Sequence, residues 1–394
     1  VHTVTGDVDV VVVGGGIGGL ANAYALSLAG LRVRVLERAA AFGEVGAGLQ
    51  LAPNATRILR EWGLLDEVVG RGCMPRRLVF RDAVDGTELT HVPLRDDVEA
   101  RYGAPYAVIH RSDLLDALYA ACRRIGVDLV TDSAVTDVRT DGRSATAITA
   151  RQQHTAAVVL AADGLHSTLR ARLSPDEPVC SGYVAYRGTV PTADLDADRA
   201  AALDDVTVWF APGCHLVQYP LRGGALLNQV AVFASPAWAH GASTWGTPGE
   251  LDAAFADTCA PVRGALGDLW RDRWWPMYDR APISRWVDGR LALTGDAAHP
   301  MLQYLAQGAC QALEDAYVLA EQVAKGGDGG EPDWDRVLRA YQELREPRTT
   351  RIQRTVHVWG DMWHCDGLTR TLRNALFRDR DPLDHKHIGW LWGG

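Results

Sequence analysis

Residues 9–20 read DVVVVGGGIGGL, and the order of parts in this stretch decides the fold. Val10 to Val13 is a short run of β-branched apolar side chains, the mark of a strand buried on both faces. Glycines interrupt it, and an apolar helical segment from Gly18 to Ala29 follows, closed by Gly30. LRVRVLE, residues 31–37, is a second strand. Strand, glycine turn, helix and strand together make a βαβ unit of a doubly wound parallel sheet. Inside the turn, Gly14, Gly16 and Gly19 have the spacing GxGxxG. The first permits a tight turn, the second lets backbone approach a pyrophosphate, and the third lets helix pack on strand. Phosphates then meet free N–H groups at the positive end of the helix. Glu37 ends the second strand, where a carboxylate reaches a ribose hydroxyl. The segment predicts a bound dinucleotide.

Outward from this unit the bulk properties narrow the choices. At 394 residues the chain has room for two domains of ordinary size. It is 47% hydrophobic and 23% charged, with no apolar run near the ~18 residues that span a bilayer. No leader-like segment stands at the start, so a cytoplasmic protein is expected. The net charge of −9, with Lys325 and Lys386 the only lysines, argues against a nucleic-acid partner. Seven cysteines are scattered without a CxxC pair and read as free thiols of a reducing compartment. Cys214-His215 and His364-Cys365 lack further ligands at suitable spacing, so no metal is expected.

Between Val179 and Ile283 the pattern changes to alternating strands, including Val206 to Phe210, His215 to Tyr219 and Gln229 to Phe233. A short buried strand returns at Arg290 to Thr294, and Gly308 to Lys325 is an amphipathic helix. Lys325 to Glu331, KGGDGGE, reads as a loop. The expected architecture is α/β: a Rossmann-like nucleotide-binding fold with an inserted antiparallel β-sheet lobe and a C-terminal helical tail. Its nucleotide-binding part is discontinuous, at 1–72, 105–178 and 284–350. The lobe takes 73–104 and 179–283, and the tail 351–394.

Two more turns complete the nucleotide signal. VVLAADGLHS, residues 158–167, sets Asp163 at the end of a strand, and LTGDAAHP, residues 293–300, does the same for Asp296. With GxGxxG and with Arg111 in HRSDL, residues 110–114, these motifs stand in the order seen in the flavoprotein aromatic hydroxylases. The chain resembles that family, with the p-hydroxybenzoate hydroxylase fold and its GR2-type FAD-binding domain, over essentially its whole length. The resemblance implies FAD as cofactor, NADH or NADPH as electron donor, and molecular oxygen. It implies that Gly14, Gly16, Gly19, Glu37 and Arg38 hold the ADP half, Arg111 the pyrophosphate region, and Val135 the adenine. Asp296 would bind the ribityl and pyrophosphate portion, and Asp163 would touch FAD and the nicotinamide donor. Gly308 and Ala309 would start the helix facing the flavin pyrimidine edge, where a positive helix end suits the charge of reduced flavin.

CHLVQYPL, residues 214–221, places His215, Val217 and Tyr219 on one strand face. An imidazole and a phenol two steps apart suit removal of a phenol proton, which makes the ring electron-rich. With PMLQY (300–304) and the closing WLW (390–392), this strand is similar to that of the 3-hydroxybenzoate 6-hydroxylases. The similarity implies His215 and Tyr219 as catalytic residues and Gln303 and Tyr106 as further contacts to a small phenolic acid. It implies para-hydroxylation of 3-hydroxybenzoate to 2,5-dihydroxybenzoate through a flavin C4a-hydroperoxide. No arginine of the lobe stands out as a partner for the substrate carboxylate. Decarboxylating salicylate-type hydroxylases, amino-hydroxybenzoate hydroxylases and a ligand-binding flavoprotein without turnover stay open, as does a homodimer.

Overall fold

The computed structural model describes residues 2–5, 8–43, 46–200, 203–326 and 331–393. The opening unit folds as its pattern dictates. Val10–Val13 is fully internal and leads through the glycines into the helix Ile17–Leu28, then to the strand Val33–Leu36. Val158–Ala161 and Leu291–Leu293 extend this sheet on one side in parallel register, and Asp128–Val130 on the other. Val287–Asp288 closes it as an antiparallel edge, giving six strands. The helix Gly308–Gly326 lies against Ile17–Leu28, and each turn that carries a glycine or aspartate motif emerges at the carboxyl end of its strand.

The inserted lobe is a seven-stranded sheet in the order Trp275–Asp279, Val179–Pro191, Leu226–Ala234, Cys214–Leu221, Asp205–Ala211, Arg77–Asp82, Glu88–Pro93. Pairing is antiparallel except between Asp205–Ala211 and Arg77–Asp82. Both faces are covered at its centre, where Asp205–Ala211, Cys214–Leu221 and Leu226–Ala234 are buried at nearly every position. Trp209, Leu216, Ala231 and Phe233 pack outward on Leu251, Phe255 and Val262. Val208, His215, Val217, Tyr219 and Val230 face inward, toward the nucleotide-binding part.

One expectation needs adjusting. A single helix, Trp334–His364, runs without a break across residue 351, where a separate tail was expected to begin. Arg345, Thr349, Ile352, Gln353, Val356 and Gly360 recur on its buried face, so the packing that starts before residue 351 continues after it. The glycine-rich loop expected at 325–331 falls mainly on 327–330, outside the described residues. Gly367–Arg378 and Gly389–Trp392 follow as further helices.

Candidate active site

A cavity of about 1260 Å³ runs from the glycine turn to the inner face of the seven-stranded sheet. That exceeds the ~300–1,000 Å³ of a site for one drug-sized ligand and suits a dinucleotide with a second molecule beside it. Every residue expected in the site lines this space except Gly19. Gly19 instead packs behind the turn: a Cβ there would collide with the carbonyl of Gly14. Gly14 has φ +103° and lies against the Ala162 carbonyl, so it needs glycine for both reasons. A Cβ on Gly16 would meet nothing, because the position opens onto the cavity.

At this end the residues fit the ADP half of FAD. The helix Ile17–Leu28 has no side-chain cap and no acid in its first turn, so its N–H groups are available to phosphate. Glu37 is held in place by two backbone donors, Gly15 N–H at 2.7 Å and Ala39 N–H at 2.8 Å. Arg38, Ser133, Ala134 and Val135 line the cavity near Glu37, whose carbonyl accepts from Ser133 N–H at 2.9 Å, and Arg111 lines it from the first turn of the helix Arg111–Arg124. Further in, Asp163 is mostly buried and its Oδ1 has no protein partner. Burial pushes its carboxyl up against the hydrogen bond from Ser167. Asp296 is the one exposed residue in the otherwise buried run Leu291–Pro300, and its Oδ1 lies beside Gly308 at the start of the helix Gly308–Gly326. An Asp296→Ala variant should bind FAD about 10–100-fold more weakly, the effect of losing one charged hydrogen bond. Fluorescence titration of the apoprotein reads this directly, and unchanged FAD affinity would reject the assignment.

The turn that carries Asp296 is anchored by a buried ionic network. Asp315 Oδ2 accepts from Gly295 N–H at 2.8 Å and meets His299 Nε2 at 2.6 Å. Arg345 donates to Asp315 Oδ1 at 2.8 Å and to Glu314 Oε2 at 2.6 Å, and Arg348 donates to Glu314 as well. Burial pushes the Asp315 carboxyl up, but His299 and Arg345 outweigh it and hold it well below the usual carboxylate range. Sequence reading missed this network. The adjacent acids Glu314 and Asp315, set between Ala312-Leu313 and Ala316 on the buried side of this helix, were its visible sign.

The second end of the cavity is walled by the inner sheet face, where Leu78, Phe80, Thr90, Val92, Val208, Val217 and Val230 surround His215 and Tyr219. His215 exposes no surface to water; its Nδ1 lies 2.8 Å from Nε2 of His364, and its own Nε2 is buried without a protein partner. Burial, then the neighbouring His364, hold the His215 imidazole well below its ordinary value, so it is neutral. Burial pushes the Tyr219 phenol up, so it is a hydrogen-bond donor and not a base near neutral pH. Gln303 stands in the short 3-10 turn Gln303–Leu305 just before the Gly308 helix. Tyr106 also lines the cavity, but its hydroxyl donates to Gln50 Oε1 at 2.5 Å and its ring packs on Trp392.

Although no arginine of the lobe stood out in the sequence, Arg187 lines the cavity. It pairs with Val230, which pairs with Val217, so its side chain shares the inner face. Its guanidinium lies 5.1 Å from the centre of the Trp275 ring, and its charge acts on the Tyr219 phenol. Arg187 is the only cationic side chain on this sheet face among the described residues that line the cavity. Alternation along Val179–Pro191 sets Arg187 on one face with Ala185 and Thr189 but does not say which face meets the cavity. All seven cysteines are free, and among the described residues no three His, Cys, Asp or Glu side chains converge as a metal site. Among them, too, no helix is long and apolar enough to cross a membrane.

Comparison with known proteins agrees with this geometry. The family model described as "FAD binding domain" matches residues 7–356. A 3-hydroxybenzoate 6-hydroxylase of Polaromonas naphthalenivorans is 36% identical over 392 residues, covering 98% of this chain and 96% of that protein. A 3-amino-4-hydroxybenzoate 2-monooxygenase of Streptomyces cremeus is 37% identical over 391 residues, with 98% and 95% covered. Among solved structures, a salicylate hydroxylase in complex with substrate superposes with a TM-score of 0.79 at 26% identity, covering 98% of this chain and 95% of that one. Klebsiella pneumoniae HpxO with FAD and uric acid shares the fold, with a TM-score of 0.84 at 24% identity and coverage of 98% and 96%. With a cavity shaped for FAD at one end and an aromatic ring at the other, the chain belongs to the FAD-binding-domain family and is an FAD-dependent aromatic monooxygenase.

Proposed function

We propose that the protein hydroxylates 3-hydroxybenzoate at C6, para to the phenol, giving 2,5-dihydroxybenzoate with NADH as donor. The observation that carries this reading is the inner sheet face, which offers a neutral imidazole and a guanidinium to one small ring. The strand of His215 lies two strand spacings, roughly 10 Å, from that of Arg187, which faces Val217 across Val230, and the two side chains reach over this face from the two strands. Bound FAD supplies hydride acceptance and oxygen activation. The chain's own residues prepare the ring. Arg187 meets the carboxylate, Tyr219 donates a hydrogen bond beside it, and Gln303 orients the ring under the Gly308 helix. His215 Nε2 accepts the phenol proton, and the resulting phenolate directs attack to ortho or para carbons.

The relatives that act on 3-amino-4-hydroxybenzoate favour a second reading, in which the ring carries an amino group and C2 is the target. A homodimer belongs to the proposed reading, since Leu368, Leu372 and Leu376 form an exposed apolar stripe at four-residue steps on Gly367–Arg378. So does a reducing, cytoplasmic setting, in keeping with the free thiols.

Steady-state NADH oxidation with each hydroxybenzoate, followed by product identification by NMR, separates these readings. Arg187→Met should raise KM for 3-hydroxybenzoate about 10–100-fold, the cost of one charge-assisted hydrogen bond, and spare 3-hydroxybenzamide. Equal loss with acid and amide would remove Arg187 from the carboxylate, and a decarboxylated or 2-hydroxylated product would replace the substrate assignment.

A further inference from the structure

His215 and His364 form an isolated imidazole pair at the edge of the cavity. The strand Cys214–Leu221 supplies one ring, and the last residue of the helix Trp334–His364 supplies the other. The carbonyl of His364 accepts from Gly213 N–H at 3.0 Å, which pins the helix end to the turn before the strand. The rings lie 5.0 Å apart, and Tyr183 stacks on His364 at 4.7 Å. Both outer nitrogens, Nε2 of His215 and Nδ1 of His364, are buried without a protein partner. As packing alone this arrangement is costly, because a buried polar atom without a partner loses its hydrogen bonds to water and gains none. An apolar pair of the same volume would carry no such penalty, so the nitrogens need a use.

A single buried imidazole is a poor final resting place for a phenol proton, since burial disfavours imidazolium. Burial, followed by the charge of Arg373, also pushes His364 down to about 3. Among the described residues no carboxylate is paired with either ring to balance a cation. The groups that face the pair are Tyr183, Tyr304, Trp363 and Arg373, with Asp361 acting on the two tyrosines. Two neutral imidazoles in series avoid the problem by exchanging tautomers.

We infer that His364 is the second station of a proton relay from the substrate phenol, an inference that rests on the phenolic substrate proposed above. The phenol O–H bond breaks as an N–H bond forms at His215 Nε2. The proton on His215 Nδ1 passes to Nε2 of His364 across the 2.8 Å contact. A water entering beside the part of His364 that stays exposed takes the proton from its Nδ1. Both rings end neutral, the substrate ends as phenolate, and one proton has left the protein. His364 is the outer ring of the two, keeping 8% of its surface exposed while His215 keeps none. Reverse flow restores the starting tautomers when the product phenol is reprotonated.

The test mixes the FAD-loaded oxidised protein with 3-hydroxybenzoate in a stopped-flow instrument. Phenolate formation is read by ultraviolet difference absorbance, and proton release by an indicator dye. Wild type should release one proton per site. His364→Phe keeps the ring packing and His364→Gln keeps a hydrogen-bonding partner for His215, yet neither can exchange tautomers. Both should slow proton release on the order of 10²-fold with FAD still bound. A wild-type rate in His364→Gln would overturn the relay and leave only orientation. Should both variants lose FAD, wild type decides alone: two protons in flight require a curved dependence of the rate on deuterium fraction, and a straight line overturns the relay. The substrate reading fails separately, if phenolate forms in this way but the product is not 2,5-dihydroxybenzoate. The relay fails separately, if that product forms without proton release.

Discussion

An Arg345→Ala variant is expected to lose about 3–5 kcal/mol of stability and to be isolated largely without FAD. Arg345 is fully internal and donates to Asp315, Glu314 and the side chain of Gln311. Removing it strands two carboxylates in a dry core, which costs more than the original ion pairs stabilise. Arg348 and His299 compensate in part, since they remain against Glu314 and Asp315. The damage reaches the cofactor because Asp315 holds the Gly295 N–H, and Gly295 precedes Asp296. The pH dependence has a definite sign. In wild type the Asp315 carboxyl is depressed, so its contribution is present above about pH 4 and is lost only as pH falls further. Without Arg345 part of that depression is lost while His299 stays, so the deficit of the variant is fully present above about pH 4 and shrinks as pH falls further. Urea unfolding of both apoproteins at pH 7 and at pH 3 measures it, and a wild-type midpoint in the variant at pH 7 would show that the network is dispensable.

The nucleotide half of the site was legible because its chemistry is local. A glycine turn, a strand-ending acid and a helix start each declare themselves within a few residues, and Gly14, Glu37 and Asp296 lie on the cavity. The strand Cys214–Leu221 was also readable, since alternation put His215, Val217 and Tyr219 on one face. What alternation cannot tell is which of two buried faces meets a ligand. Trp209, Leu216 and Phe233 face a second apolar core, while Arg187 faces the cavity, and only the packing of the whole sheet distinguishes them. The His215–His364 contact joins residues 149 positions apart, and the Arg345 network joins helices whose charges look like surface charges in a linear text. Residue 351 looked like the start of a tail for the same reason. Nothing local reveals that the helix around it is docked along its full length.

His215→Ala is expected to cut hydroxylation about 10²–10⁴-fold, the usual contribution of a positioned proton acceptor, while FAD stays bound. The flavin end of the cavity does not depend on this ring, which contacts His364, Tyr304 and Trp363. NADH consumption should therefore continue with substrate present but end in hydrogen peroxide, because an un-ionised phenol is a poor nucleophile. Tyr219→Phe should do less, about 3–10-fold, the loss of one neutral hydrogen bond. Its phenol is pushed up by burial, so it gives a hydrogen bond and takes no proton. The pH profile separates the two roles. An exposed histidine base would lose activity below its ordinary value near 6.5. His215 is held far below that value by burial, so it remains an acceptor as pH falls, and coupled hydroxylation should stay level from pH 8 down to pH 6. Product and peroxide formed per NADH, measured across this range, test both statements. Normal coupling in His215→Ala would remove it as the base, and an acid limb near pH 6.5 in wild type would show that its imidazole titrates as an exposed one does.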